Sequence, residues 1–148
     1  MLSLKGTVAK THFSKSFNSE DVRSKELRTF SDGIMGKVYI LGDIGFLNKK
    51  LKNICNRIVA QKSEDDLVLC LGDNFYTHGI RRITSPKVNT FHETFGVLKP
   101  YLLLGNHDYE ENPRAQFNGK YWQMPDWYYT IDHGPYRIFM LDSCQLSR

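Results

Sequence analysis

Three short apolar runs in this chain end alike, in Leu41-Gly42-Asp43, Leu71-Gly72-Asp73 and Leu104-Gly105-Asn106. Asp and Asn offer hard oxygen donors, and a glycine just before them lets the main chain turn sharply and approach a ligand closely. Tyr76 follows Asp73 closely and adds a phenol oxygen, while His107 and Asp108 follow Asn106 and add an imidazole and another carboxylate. Carboxylates, a phenol and an amide oxygen together suit hard cations, and a histidine beside them can give or take a proton near neutral pH. A single Gly-Asp after a strand is more ordinarily a helix cap or an Asx turn. Three of them, with Tyr76 and His107 alongside, are harder to explain as caps.

To act together these residues need a scaffold that gathers distant strand ends. Residues 37–41 form a β-prone apolar run. Leu47, Leu51, Ile54 and Ile58 then fall at helical spacing, with Lys49, Lys50, Lys52, Arg57 and Lys62 on the remaining faces. A second strand is predicted over 67–71, a shorter helical stretch around Phe91, Phe95 and Leu98, and a third strand over 101–104. This alternation, with nearly continuous apolar strands, predicts an α/β fold built on a parallel sheet covered on both faces, and in such sheets ligands bind outside the carboxyl ends of the strands. Residues 127–131 and 136–141, joined by Asp132-His133-Gly134-Pro135, read as an antiparallel hairpin. Residues 1–36 show no sustained periodicity beyond a short helix capped near Asn18, with Asp21 three residues on, and are expected to be a polar, poorly ordered extension of a domain spanning 37–148.

With 148 residues, 41% of them apolar and 24% charged, the chain suits one globular domain, and no apolar run approaches the ~18 residues of a membrane span. The net charge of +4 is concentrated in the first thirty residues and comes without a nucleic-acid motif, so no nucleic-acid partner is assigned. Cys55, Cys70 and Cys144 form no CxxC pair and read as structural thiols in a reducing compartment. Lys5, Lys10, His12 and Lys15 interrupt any secretory signal, which points to a cytoplasmic or unassigned location.

Gly42-Asp43-Ile44-Gly45, Gly72-Asp73-Asn74-Phe75-Tyr76 and Gly105-Asn106-His107-Asp108 resemble, in order, the first three motifs of the metallophosphoesterase superfamily. Many of its members carry His two residues after the first Asp. This chain has Gly45 there and Tyr76 in the second motif, an exchange that resembles purple acid phosphatases of the small, tartrate-resistant type. The resemblance implies a calcineurin-like layered fold of β-sheets covered by helices, and a binuclear centre of Fe(III) with a divalent Fe, Zn or Mn. It implies that Asp43 and Tyr76 bind the ferric ion, Asp73 bridges both metals, Asn106 binds the divalent ion and His107 faces the substrate phosphate. Asp108 would orient the His107 ring or serve as a simple turn carboxylate. The chemistry of these types agrees, since a phenolate is a hard anionic donor and a carboxylate can bridge cations at the ~3.5–4 Å used in two-metal hydrolysis.

The same pattern calls for three further histidines, and after Asp108 only His133 occurs. His133 reads as an exposed turn residue, His92 as half-buried packing, and His78, Arg81 and Arg82 as surface residues with phosphate contact as the alternative. The domain is therefore expected to be incomplete at its C-terminus and its second metal site short of donors, with a further C-terminal segment or a partner chain needed to complete it. The expected function is hydrolysis of phosphate monoesters, on a phosphorylated small molecule or phosphoprotein, weak or absent in the chain as it stands. The alternatives are a phosphodiesterase or protein phosphatase on the same scaffold, and a non-catalytic phosphate- or metal-binding module.

Overall fold

A computed structural model describes residues 36–146. The N-terminal extension and its short helix capped near Asn18 lie outside the described residues. The elements run β1 (Val38–Leu41), α1 (Lys49–Gln61), β2 (Leu67–Leu71), α2 (Pro86–Phe95), β3 (Tyr101–Leu103), two 3-10 turns (His107–Glu110 and Pro113–Gln116), β4 (Tyr128–His133), β5 (Tyr136–Leu141) and a short α3 (Ser143–Leu146). Strands β1, β2 and β3 form a parallel sheet in that order, and β4 with β5 forms a separate antiparallel hairpin. No helix among the described residues is long and apolar enough to cross a membrane.

Local chemistry starts and stops these elements. The Asn48 side chain accepts from Leu51 N–H at 3.0 Å and caps α1, and Pro86 opens α2, where a missing N–H costs nothing. The Asp66 carboxylate accepts from Lys37 N–H (2.7 Å), Ser63 N–H (3.0 Å) and Ser63 Oγ–H (2.8 Å), tying the start of β1 to the loop before β2. These bonds, the Ser63 N–H foremost, hold its pKa down to about 2.

Side chains alternate across the sheet with the period of two that strands impose. Val68, Cys70, Leu102 and Leu104 point to the helices, where Cys55, Ile58, Val88, Phe91 and Phe95 meet them in the larger core. Leu69 and Tyr101 point the other way, onto Ile131 and Met140 of the hairpin. Each such buried side chain is worth about 2 kcal/mol. Both faces are thus covered, as expected, but α1 and α2 contact each other on one face and the hairpin supplies the other. In a strand order of 1-2-3, two crossovers of the same hand put both helices on one face. The hairpin reaches only part of its face: Ile40 is 61% exposed and Leu71 50%, and on the hairpin's own outer side Phe139 is 54% exposed.

Cys55 and Cys70 are free and buried in the core, and burial pushes both thiols up, Cys55 to about 11. Two histidines differ from expectation. His133 is the last residue of β4, is 9% exposed and places its Nε2 2.8 Å from the Gly36 carbonyl, so it fastens the hairpin to the entry of β1. The hairpin link is accordingly only Gly134-Pro135. His92 is exposed, with its ring stacked on Tyr121 at 3.9 Å.

Candidate metal centre

The first two strand ends meet. Gly45 N–H donates to the Asp73 carbonyl at 2.8 Å, fixing the loop after β1 against the loop after β2. Gly72 adopts φ +100°, and a Cβ on it would lie 2.7 Å from Gly105 N; a Cβ on Gly105 would lie 2.1 Å from Asp73 Oδ1. Only glycines allow three loops to close in this way. Asp43 and Asp73 both sit in the left-handed region, at φ 53° and 52°, a conformation Asp tolerates at some cost and one that clusters at functional sites.

The Tyr76 hydroxyl is the hub. Its oxygen lies 2.7 Å from Asp43 Oδ1 and 2.6 Å from Asp73 Oδ2, so one phenolic proton stands between two carboxylates. Those bonds, to Asp73 first and Asp43 second, push the phenol well above its ordinary pKa near 10. The Tyr76 ring is held by Phe46, stacked on it at 4.5 Å, and by the edge of His107 at 4.7 Å. Asp73 Oδ1 also accepts from His107 N–H at 3.2 Å, which brings the third strand end to the same rim.

Asp43, Asp73, Tyr76 and His107 are therefore in direct contact. Asn106 sits between Gly105 and His107 at this rim with an exposed side chain, and that side chain takes no part in the described hydrogen bonds. Among the described residues no group of three or more His, Cys, Asp or Glu side chains is gathered to hold a metal. The rim's donor set is instead two carboxylates and a phenol. It carries more negative charge than one proton neutralises, so a multivalent cation with a preference for oxygen fits in place of that proton.

Asp108, open to two readings, the ring of His107 or the turn, makes its contacts with the turn and the loop after β2. It is fully buried, and its two oxygens accept from Asn74 N–H (3.0 Å), Phe75 N–H (3.2 Å), Gly105 N–H (2.9 Å) and Gln116 Nε2–H (2.9 Å). Burial raises its pKa above the usual carboxylate value despite those bonds. Asn74, also buried, donates from its amide to the Leu103 carbonyl at 2.6 Å and to Gln116 Oε1 at 3.2 Å. Asp108, Asn74 and Gln116 form a floor that binds the second and third loops together.

The groups at the His107 ring are Thr77 and Glu110, neither of which the sequence singled out. His107 Nδ1 lies 2.8 Å from the Thr77 carbonyl and 3.0 Å from Glu110 Oε1, and the other Glu110 oxygen meets His78 Nδ1. Their signal in sequence is faint: Glu110 is three residues after His107, which a 3-10 turn brings to the same side. Arg81 pairs with Glu111 at 2.9 Å and is exposed, as is Arg82.

A family model described as calcineurin-like phosphoesterase matches residues 36–143. Among curated proteins the chain is similar to purple acid phosphatase 7 of Arabidopsis thaliana, 32% identical over 107 residues, which covers 66% of this chain and 31% of that protein. It is also similar to human tartrate-resistant acid phosphatase type 5, 33% identical over 97 residues, which covers 55% of this chain and 30% of the relative. The chain thus matches just under a third of the length of these relatives.

Proposed function

This chain belongs to the calcineurin-like phosphoesterase family, and from that premise we propose that it carries the iron-binding half of a phosphomonoester hydrolase of the purple acid phosphatase kind. The observation that carries the reading is the Tyr76 hydroxyl shared between Asp43 and Asp73 at 2.7 and 2.6 Å. Asp43, Asp73 and Tyr76 would hold a ferric ion, and Asp73 with Asn106 would contribute to a divalent one. Such a pair of ions neutralises phosphoryl charge and supplies hydroxide from bound water at moderate pH. His107 would donate a proton to the departing alkoxide, placed for it by its main-chain bond to Asp73. Asp108 acts only through the loops it joins.

The divalent position is poorly furnished by this chain. Beyond Asp108 its one histidine, His133, is turned to the Gly36 carbonyl. Histidines from further sequence or from a partner chain would complete the site, and the exposed faces of Ile40 and Leu71 offer such a segment an apolar seat. The second reading is a module that binds a metal or phosphate without turning it over.

Titration of the metal-free protein with Fe(III), followed by visible absorption, tests the ferric site. A tyrosinate-to-iron band is expected, and Tyr76→Phe should abolish it; wild-type protein without such a band would overturn the site. Hydrolysis of an aryl phosphate that survives Asp73→Ala would overturn the catalytic reading, and iron binding without any hydrolysis would leave the binding module.

A further inference from the structure

Both groups facing His107 Nδ1 are acceptors: the Thr77 carbonyl at 2.8 Å and the Glu110 carboxylate at 3.0 Å. A nitrogen set between two acceptors carries the proton, so the neutral ring is the Nδ1–H tautomer, with Nε2 left as the atom that can take up and release a further proton. Of the two acceptors Glu110 is the charged one. It lies in the 3-10 turn His107–Glu110, whose repeat of about three residues puts the two side chains on one side. It is anchored in turn, because its second oxygen meets Nδ1 of His78 from the preceding loop.

We propose that Glu110 is a positioning residue: its carboxylate, held by His78, fixes the His107 ring with Nδ1–H inward and Nε2 free for substrate. The inference rests on the phosphoester-hydrolase reading for its purpose, while the ring state it describes belongs to the metal-free chain. The His78 bond is also the first cause holding the Glu110 carboxyl below its ordinary pKa, which keeps it charged while it orients the ring. A carboxylate can offer one acceptor oxygen to each imidazole at once. An amide accepts through one atom and donates through the other.

The test is long-range proton–nitrogen NMR of the imidazole rings in metal-free protein, at a pH above the ordinary imidazole range. The His107 and His78 signals are assigned by their loss in His107→Asn and His78→Asn. Wild-type protein should show both rings as Nδ1–H. Glu110→Gln should leave His107 in that state, helped by Thr77, and switch His78 to Nε2–H, since the new amide donates to it. Glu110→Ala should raise the Nε2–H fraction of His107 above that of wild type, because the Thr77 carbonyl alone then holds Nδ1–H. A His107 ring whose state is the same in wild type and Glu110→Ala overturns the proposal, whatever happens at His78. On iron-loaded protein with an aryl phosphate, Glu110→Ala should lower kcat about tenfold with little change in KM, and should cost nothing further in a His107→Asn background. Additive losses in that pair would overturn Glu110's action through His107. Absent turnover in wild type would count against the hydrolase reading alone, with the ring measurement still deciding Glu110's role.

Discussion

Aspartates that hold the same loop live under opposite conditions: Asp73 bonds it at His107 and Asp108 at Gly105. Asp108, in the floor, is fully buried, and five donors meet its carboxylate. Asp43 and Asp73, at the rim, sit at left-handed φ and share one phenolic proton. Floor groups are tied to two loops by these bonds and so resist movement, although Asn74 Oδ1 is buried without a partner, whereas rim groups are kept under-neutralised. Rigidity below is what allows unbalanced charge above, because like charges part unless the loops bearing them are clamped.

The largest expected effect lies in the floor. Asp108→Ala leaves three main-chain N–H groups and the Gln116 amide buried without their acceptor, and should cost about 3 kcal/mol or more in denaturant unfolding. A loss under about 1 kcal/mol would erase the contrast. At the rim, Asp43→Gly removes an acidic side chain from a left-handed position that glycine adopts freely. Stability should hold or rise by about 0.5 kcal/mol while ferric binding falls, so a clear loss of stability would show that the rim serves the fold after all. The smallest effect sharpens the comparison with a fourth carboxylate. Asp66 is held to a pKa of about 2 against an ordinary 3.8, so its contribution is present above pH 4 and is lost as pH falls through 2. In Asp66→Asn the dependence of the unfolding midpoint on pH between 4 and 2 should be shallower than in wild type; an unchanged slope would refute that role.

The rim was legible because each of its carboxylates follows a glycine at the end of an apolar run, a local signal that survives without any knowledge of neighbours. The parallel sheet and the hairpin were legible for the same reason, through periodicity and turn residues. The floor was not, since Asn74 meets Asp108 across 34 residues and Gln116 across 42. Position beside His107 left Asp108 open to serving the ring or the turn; packing set it in the floor and brought Glu110 to the ring. His133 misled in the same way: its turn-like surroundings suggested exposure, and a contact with a carbonyl 97 residues away buried it. The covering of the sheet's second face by the hairpin depended on crossover handedness, which no single segment encodes.

The contact at Gly45 bears on how such a site can diverge. A Cβ there would stand 2.5 Å from Tyr76 N, 2.8 Å from the Asp73 carbonyl oxygen and 2.8 Å from Tyr76 Cδ2. Two of those three obstacles are main chain, so trimming the tyrosine alone would not make room for an imidazole. A side chain at position 45 therefore requires the loops after the first two strands to part, whatever residue stands at position 76, so the glycine is fixed by main-chain spacing before any choice of neighbour.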